Sequence, residues 1–327
     1  MTATLSTYSL VAIYSAMAVY TFAFIAFTLD LAKRTADGSS QSAVVAAAKR
    51  VGLLTRAGGK TATLERLDEE TVVPQRRSSK FERVAYALTV LGWILHVVGT
   101  VLRGIAAERV PWANMFEFSL TASAIIVGVF IFVQIWLDLK FLGAYITGFG
   151  LIVLGVGTVN FYVAVVPLPP ALQSYWLVIH VFVATLGTAF FAIGGGLSIV
   201  QLVQTRREAG KFEGVKFLAT VPDAEKLETL AYRVVVVGFV FWTFTLIAGS
   251  IWAEHAWGRY WGWDTKEVWT FIIWTIFAGY IHARATRGWR GSRSAWLAII
   301  GFVAVMFNFT IVNLFFKGLH VYSGLSL

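Results

Sequence analysis

Two features of the sequence could carry chemistry, a dense aromatic stretch and a small set of histidines. Residues 252–269 read Trp-Ala-Glu-His-Ala-Trp-Gly-Arg-Tyr-Trp-Gly-Trp-Asp-Thr-Lys-Glu-Val-Trp, and they hold five of the 13 tryptophans together with Tyr260. Flat rings at this density suit a large planar apolar ligand, bound by stacking and by burial of ring area. Gly258 and Gly262 would let the backbone turn so that several rings face one object. An interfacial belt of indoles at headgroup depth is the competing explanation, although a belt spreads its tryptophans over many helix ends. Asp264, followed three positions later by Glu267 at the start of an apolar run, has the pattern of a helix capping box. A cap and a ligand platform are compatible.

Of the five histidines, His180, His255 and His320 are expected on the same side as the aromatic stretch. Imidazole is the commonest metal ligand and a usual axial ligand of haem iron, and two of them flanking a flat aromatic pocket is what six-coordinate haem requires. Ala184 and Gly187 follow His180 on its helical face and leave room for a flat ring. His282 belongs to the other side, roughly 25 Å away by helix rise. A membrane histidine can also simply hydrogen-bond a neighbouring helix. For His180, His282 and His320 both possibilities stand at this point. His96 reads as such a helix-to-helix contact, and His255 as a pocket-rim residue.

The elements that must position these residues are membrane helices. Hydrophobic residues make up 57% of 327 positions and the mean hydropathy is +0.71, far above a soluble domain. Apolar runs long enough to span a bilayer are expected at about 9–29, 84–103, 117–137, 142–165, 176–203, 230–251, 267–283 and 295–316. The fold class is therefore all-α and integral to a membrane, with about eight transmembrane helices. The first run lacks a basic flank and a small-residue cleavage site, so it reads as a retained helix over 1–29. Residues 30–83 read as a loosely structured polar loop with room for one surface helix, and 84–327 as one membrane domain bearing the aromatic loop at 252–269.

Charge sets the expected orientation. The segments 30–83, 204–229 and 284–293 hold 20 of the 27 Lys and Arg residues, and alternating helices put all three on one side. By the positive-inside rule that side is cytoplasmic, and the aromatic stretch and both termini are extracytoplasmic. The net charge of +9 is thus a topology signal, not a sign of nucleic-acid binding. The absence of cysteine excludes a thiol relay, an iron–sulfur protein and a covalent Cys-x-x-Cys-His haem carrier. Gly194-Gly195-Gly196 lies in an apolar helix and resembles no phosphate cradle.

The run Trp257-Gly258-Arg259-Tyr260-Trp261-Gly262-Trp263-Asp264, continuing Lys266-Glu267-Val268-Trp269, closely resembles the tryptophan-rich WWD signature of haem-handling proteins. Other pieces match in order: Pro111-Trp112-Ala113-Asn114-Met115-Phe116-Glu117, Ile281-His282-Ala283-Arg284 and Gly318-Leu319-His320-Val321-Tyr322. Length and helix number resemble the CcsA/ResC type of cytochrome c biogenesis protein (System II) better than the shorter CcmC or the longer CcmF families. The family commonly has Pro where this chain has Thr265, a mild change at a first helical turn.

The resemblance implies that His180 and His320 are axial ligands of an extracytoplasmic haem held by Trp257, Tyr260, Trp261, Trp263, Asp264 and Trp269. It implies that His282 ligates a second haem within the membrane, completed by a CcsB/ResB-type partner. The expected cargo is haem b, presented for thioether attachment to the Cys-x-x-Cys-His of apocytochrome c by a two-component synthase. The expected location is a bacterial cytoplasmic membrane rather than a thylakoid membrane. A haem exporter without a ligation role and a b-type electron-transfer cytochrome are the competing functions.

Overall fold

Helix is the only regular structure among the described residues of the computed structural model, which are 2–56, 79–168, 172–211, 216–286, 288–316 and 318–320. The long helices are α1 Thr2–Arg56, α2 Lys80–Ala107, α3 Met115–Val133, α4 Gly143–Asn160, α5 Tyr175–Glu208, α6 Ala224–Trp257, α7 Thr265–Ala285 and α8 Ser292–Phe307. A backbone crossing a bilayer must satisfy its own hydrogen bonds, and an uninterrupted helix does so. Seven of the eight are long and apolar enough to cross a membrane. The remaining one, α7, carries Lys266, Glu267, His282 and Arg284 near its ends, but its 21 residues span roughly 30 Å.

Cross-contacts define two ends of the bundle. At one end the Ser9 hydroxyl donates to the Gly99 carbonyl and Arg103 pairs with Glu117 across α2 and α3. Asp264 before α7 meets His320 beyond α8 at this same end. At the other end Glu228 on α6 receives Arg284 of α7, the Gly291 N–H and the Ser294 hydroxyl of α8, while Gln201 of α5 donates to the Gly291 carbonyl. Arg34 of α1 there pairs with Asp30 and Glu82. The three basic segments lead from this second end, as the charge pattern requires. α7 connects the two ends, so all eight expected helices are present.

Two expectations about boundaries need correction. α1 continues as helix to Arg56 instead of giving way near residue 29 to a loose loop. Ala46-Ala47-Ala48-Lys49-Arg50 and Leu53-Leu54 are good helix formers that extend it past the apolar run; the rest of the expected loop, 57–78, lies outside the described residues. The aromatic stretch is also mostly helical. α6 runs to Trp257 and α7 starts at Thr265, so only 258–264 is loop, bounded by Gly258 at φ 68° and by the Asp264 cap. Before Gly258 nothing in Ala253-Glu254-His255-Ala256 breaks a helix.

The core is aromatic and closely packed. Phe191 of α5 stacks on Phe277 of α7 with ring centroids 3.6 Å apart, and Trp242 and Phe302 join the same cluster. The Gly194–Gly196 triplet packs α5 against Val235, Phe302 and Tyr145. His96 is fully buried and has both ring nitrogens engaged, one with Tyr20 at 3.4 Å and one with the Leu120 carbonyl at 2.9 Å. It joins α1, α2 and α3, as its reading as a helix-to-helix contact anticipated.

Glu117 anchors the first end. Its carboxylate is fully buried and accepts from Arg103, Arg109 and the Ala113 N–H, while its own N–H is capped by Asn114. Arg103 and Arg109 in turn donate to the Val163 and Val166 carbonyls of the segment after α4. Replacing Glu117 with Ala strands a buried guanidinium, a loss of about 3–5 kcal/mol. The expected result is a markedly lower unfolding temperature in detergent and new protease cleavage within 161–168.

Candidate functional site

A cavity opens between α3, α5, α6, α8 and the 258–264 loop, with about 1470 Å³ of empty space counted to its open mouth. Its wall is largely apolar, with Phe118, Phe149, Trp112, Trp242, Trp252 and Trp261 supplying flat rings. His180 and His320 both line the cavity.

The two imidazoles are held alike. His180 Nδ1 lies 3.1 Å from the Thr245 carbonyl oxygen on α6. His320 Nδ1 lies 2.7 Å from Asp264 Oδ2. A carbonyl and a carboxylate only accept, so each Nδ1 carries a proton, and in the neutral form of either ring Nε2 is the nitrogen that holds the lone pair. Trp252, fully buried, touches both: His180 stacks on it at 5.8 Å and 13°, and His320 meets it edge-on at 5.4 Å. Trp257 also meets His320 edge-on, at 4.8 Å, and lies 4.7 Å from Trp252. Fixing one ring nitrogen through a neighbouring oxygen is how proteins orient imidazole as a metal ligand.

Asp264 joins these parts. Its carboxylate caps α7 by accepting from the Lys266 N–H, accepts the Leu319 N–H at 3.0 Å, and receives His320. Glu267 completes the capping box, its Oε2 accepting from the Gly262 and Asp264 N–H groups. The hydrogen bond from His320 holds the Asp264 carboxyl down at about 2 against the opposing effect of burial, with the Leu319 N–H assisting. It is therefore ionised throughout the physiological range. Thr265 is the first helical residue, the place where proline would be tolerated.

The remaining expected site residues divide. Tyr260 and Trp261 line the cavity. Trp263 is 75% exposed and meets Trp261 edge-on, and Trp269 packs on Phe307. His255 donates to the Ile251 carbonyl of its own helix and faces outward. His282 is exposed at the opposite end of the bundle, far from the cavity. Wall residues that the sequence reading quoted only inside motifs are Trp112, Trp252 and Lys266, and those it did not name are Asn308 and Asn313. Asn308 and Asn313 were detectable as the two amides of an otherwise apolar final span; the π-helical turn Asn308–Val312 that places both on the cavity was not.

The comparisons with known proteins bear on this arrangement. The model of the family described as cytochrome C assembly protein matches residues 87–320, which include the cavity and both of its histidines. The chain belongs to this family. It is 34% identical over 262 residues to a cytochrome c biogenesis protein CcsA of Guillardia theta, covering 74% of this chain and 86% of that one. It is 39% identical over 176 residues to the protein so described in Synechococcus sp. strain CC9902, covering 48% of this chain and 58% of the relative. Among solved structures it resembles the cytochrome c haem lyase CcmF with a TM-score of 0.62 at 14% identity, over 93% of this chain and 46% of the larger protein. At that identity the likeness is one of fold. As a CcsA-type member of the family, this chain is an integral membrane protein with a role in cytochrome c biogenesis.

Gly318 makes the His320 contact feasible, since a Cβ there would come within 2.2 Å of Asp264 Oδ1. Gly318→Ala and Asp264→Ala should therefore act alike. Both are expected to raise amide hydrogen exchange about fivefold in the first turn of α7 and at 318–320, the effect of losing roughly 1 kcal/mol of capping.

Proposed function

We propose that the cavity binds haem on the extracytoplasmic side and presents it for covalent attachment to apocytochrome c, with His180 and His320 as its axial ligands. The observation that carries this reading is the matched anchoring of both Nδ1 atoms in two histidines that line one aromatic cavity, which makes Nε2 the nitrogen free to ligate in each neutral ring. Neutral imidazoles fixed in this way suit iron at the centre of a flat macrocycle, and the tryptophan-rich wall suits its faces and edges. The basic segments at the opposite end support placing the cavity outside.

In attachment, each cysteine thiol adds across a vinyl group: a C–S bond forms, the second vinyl carbon takes the hydrogen, and nothing is oxidised. This chain has no cysteine, so both thiols come from the substrate. Its own contribution is to hold the macrocycle in place and to keep bulk water from its faces. His282, exposed at the cytoplasmic end, has no second histidine beside it among the described residues. That fits a membrane haem whose other ligand belongs to a CcsB/ResB-type partner, and it disfavours an electron-carrying cytochrome, which needs a complete ligand pair at each level.

His180→Ala and His320→Ala should each lower the yield of covalent cytochrome c in cells by roughly tenfold or more, with partial recovery on adding imidazole. Normal yield from the double variant would overturn the ligand assignment.

A further inference from the structure

One polar cluster in the cavity wall has no part in holding the histidines. The Lys266 ammonium donates to Asn313 Oδ1 at 2.7 Å, and no carboxylate lies within ion-pair distance of it among the described residues. An ammonium has three donors and no acceptor, so most of its capacity is unspent. Asn313 is held through its amide nitrogen to the Met115 sulfur, which fixes its oxygen toward Lys266. Asn308 also lines the cavity, is 6% exposed and has a side-chain oxygen with no hydrogen-bond partner.

Buried polar atoms are ordinarily paired; a cation with unspent donors in an apolar wall, sharing that wall with an amide that can rotate its N–H toward the cavity, has the composition of an anion subsite. Of the four oxygens of the two nearby carboxylates, three are engaged elsewhere. Asp264 holds His320 and the Leu319 and Lys266 N–H groups, and Glu267 Oε2 holds two loop N–H groups, although its Oε1 is itself without a partner. The first turn of α7 adds the positive end of a helix dipole.

Resting on the haem reading above, we infer that Lys266, with Asn308 and Asn313, binds a carboxylate of the tetrapyrrole. The subsite fixes the rotation of the ring about its iron axis, which two axial histidines leave undetermined. An amide can turn either its oxygen or its nitrogen to the ligand, so Asn308 serves a carboxylate through its N–H group. The vinyl edge of the ring lies opposite its carboxylate edge, and anchoring the latter points the former away from Lys266.

The test is a titration of the detergent-purified full chain with haem and with haem dimethyl ester, in which both carboxylates are blocked, followed by the Soret band. Wild type should favour haem by about tenfold, the effect of one charge-assisted hydrogen bond. Lys266→Met should bind the two compounds equally with the bis-histidine spectrum intact, while Lys266→Arg keeps the preference. Equal binding by wild type, or an undiminished preference in Lys266→Met, would overturn the subsite while leaving the haem reading in place. Failure of wild type to bind either compound would overturn both. Should Lys266→Met misfold, the wild-type comparison and Asn308→Leu, expected to reduce the preference, decide the matter.

Discussion

The hydrogen bond between Asp264 and His320 is the contact on which the rest of the site depends. It joins the start of α7 to the segment beyond α8, two pieces of chain 56 residues apart, and it selects which imidazole nitrogen remains open. Because the same carboxylate caps α7, the position of His320 is tied to a helix start. A carboxylate accepting several N–H donors keeps its charge even when shielded from water, and the low position of its titration follows from those donors.

The same arrangement recurs elsewhere in the bundle. Two other buried carboxylates are likewise surrounded by donors from more than one element. Glu117 gathers two arginines and a backbone N–H at the site end, and Glu228 gathers Arg284, Gly291 and Ser294 at the other. In an apolar medium an unpaired charge is costly, and helix association has no hydrophobic drive from water. These hubs therefore set how the helices register at each end. They also make the cavity possible, since a bundle pinned at both ends can leave space between α3, α5, α6 and α8.

Much of this was legible in the chain itself. Eight apolar runs separated by basic segments gave the helices and their alternation, because bilayer thickness constrains length so strongly. The Asp264–Glu267 spacing announced the cap, and the residue types of His180, His320, Tyr260 and Trp261 set apart four residues that line one cavity. What could not be read were the tertiary partners. Nothing local marks Thr245 as the acceptor for His180, or distinguishes the doubly bonded His96 from the singly bonded His180. The helical state of 252–257 was hidden because glycines and tryptophans resemble a loop until Gly258 is seen to be the first break. Lys266 passed as part of a motif, and only its distance from any free carboxylate set it apart.

The central claim is that two neutral imidazoles, each anchored through Nδ1, share one planar ligand through Nε2. The most direct measurement is the absorption spectrum of the freshly purified protein, co-expressed with its proposed partner, beside that of a His180→Ala/His320→Ala variant. The account predicts a Soret band with sharp α and β bands on reduction in the wild type, lost or shifted in the variant. An unchanged spectrum in the variant, or a folded wild type with no haem bands, would contradict it.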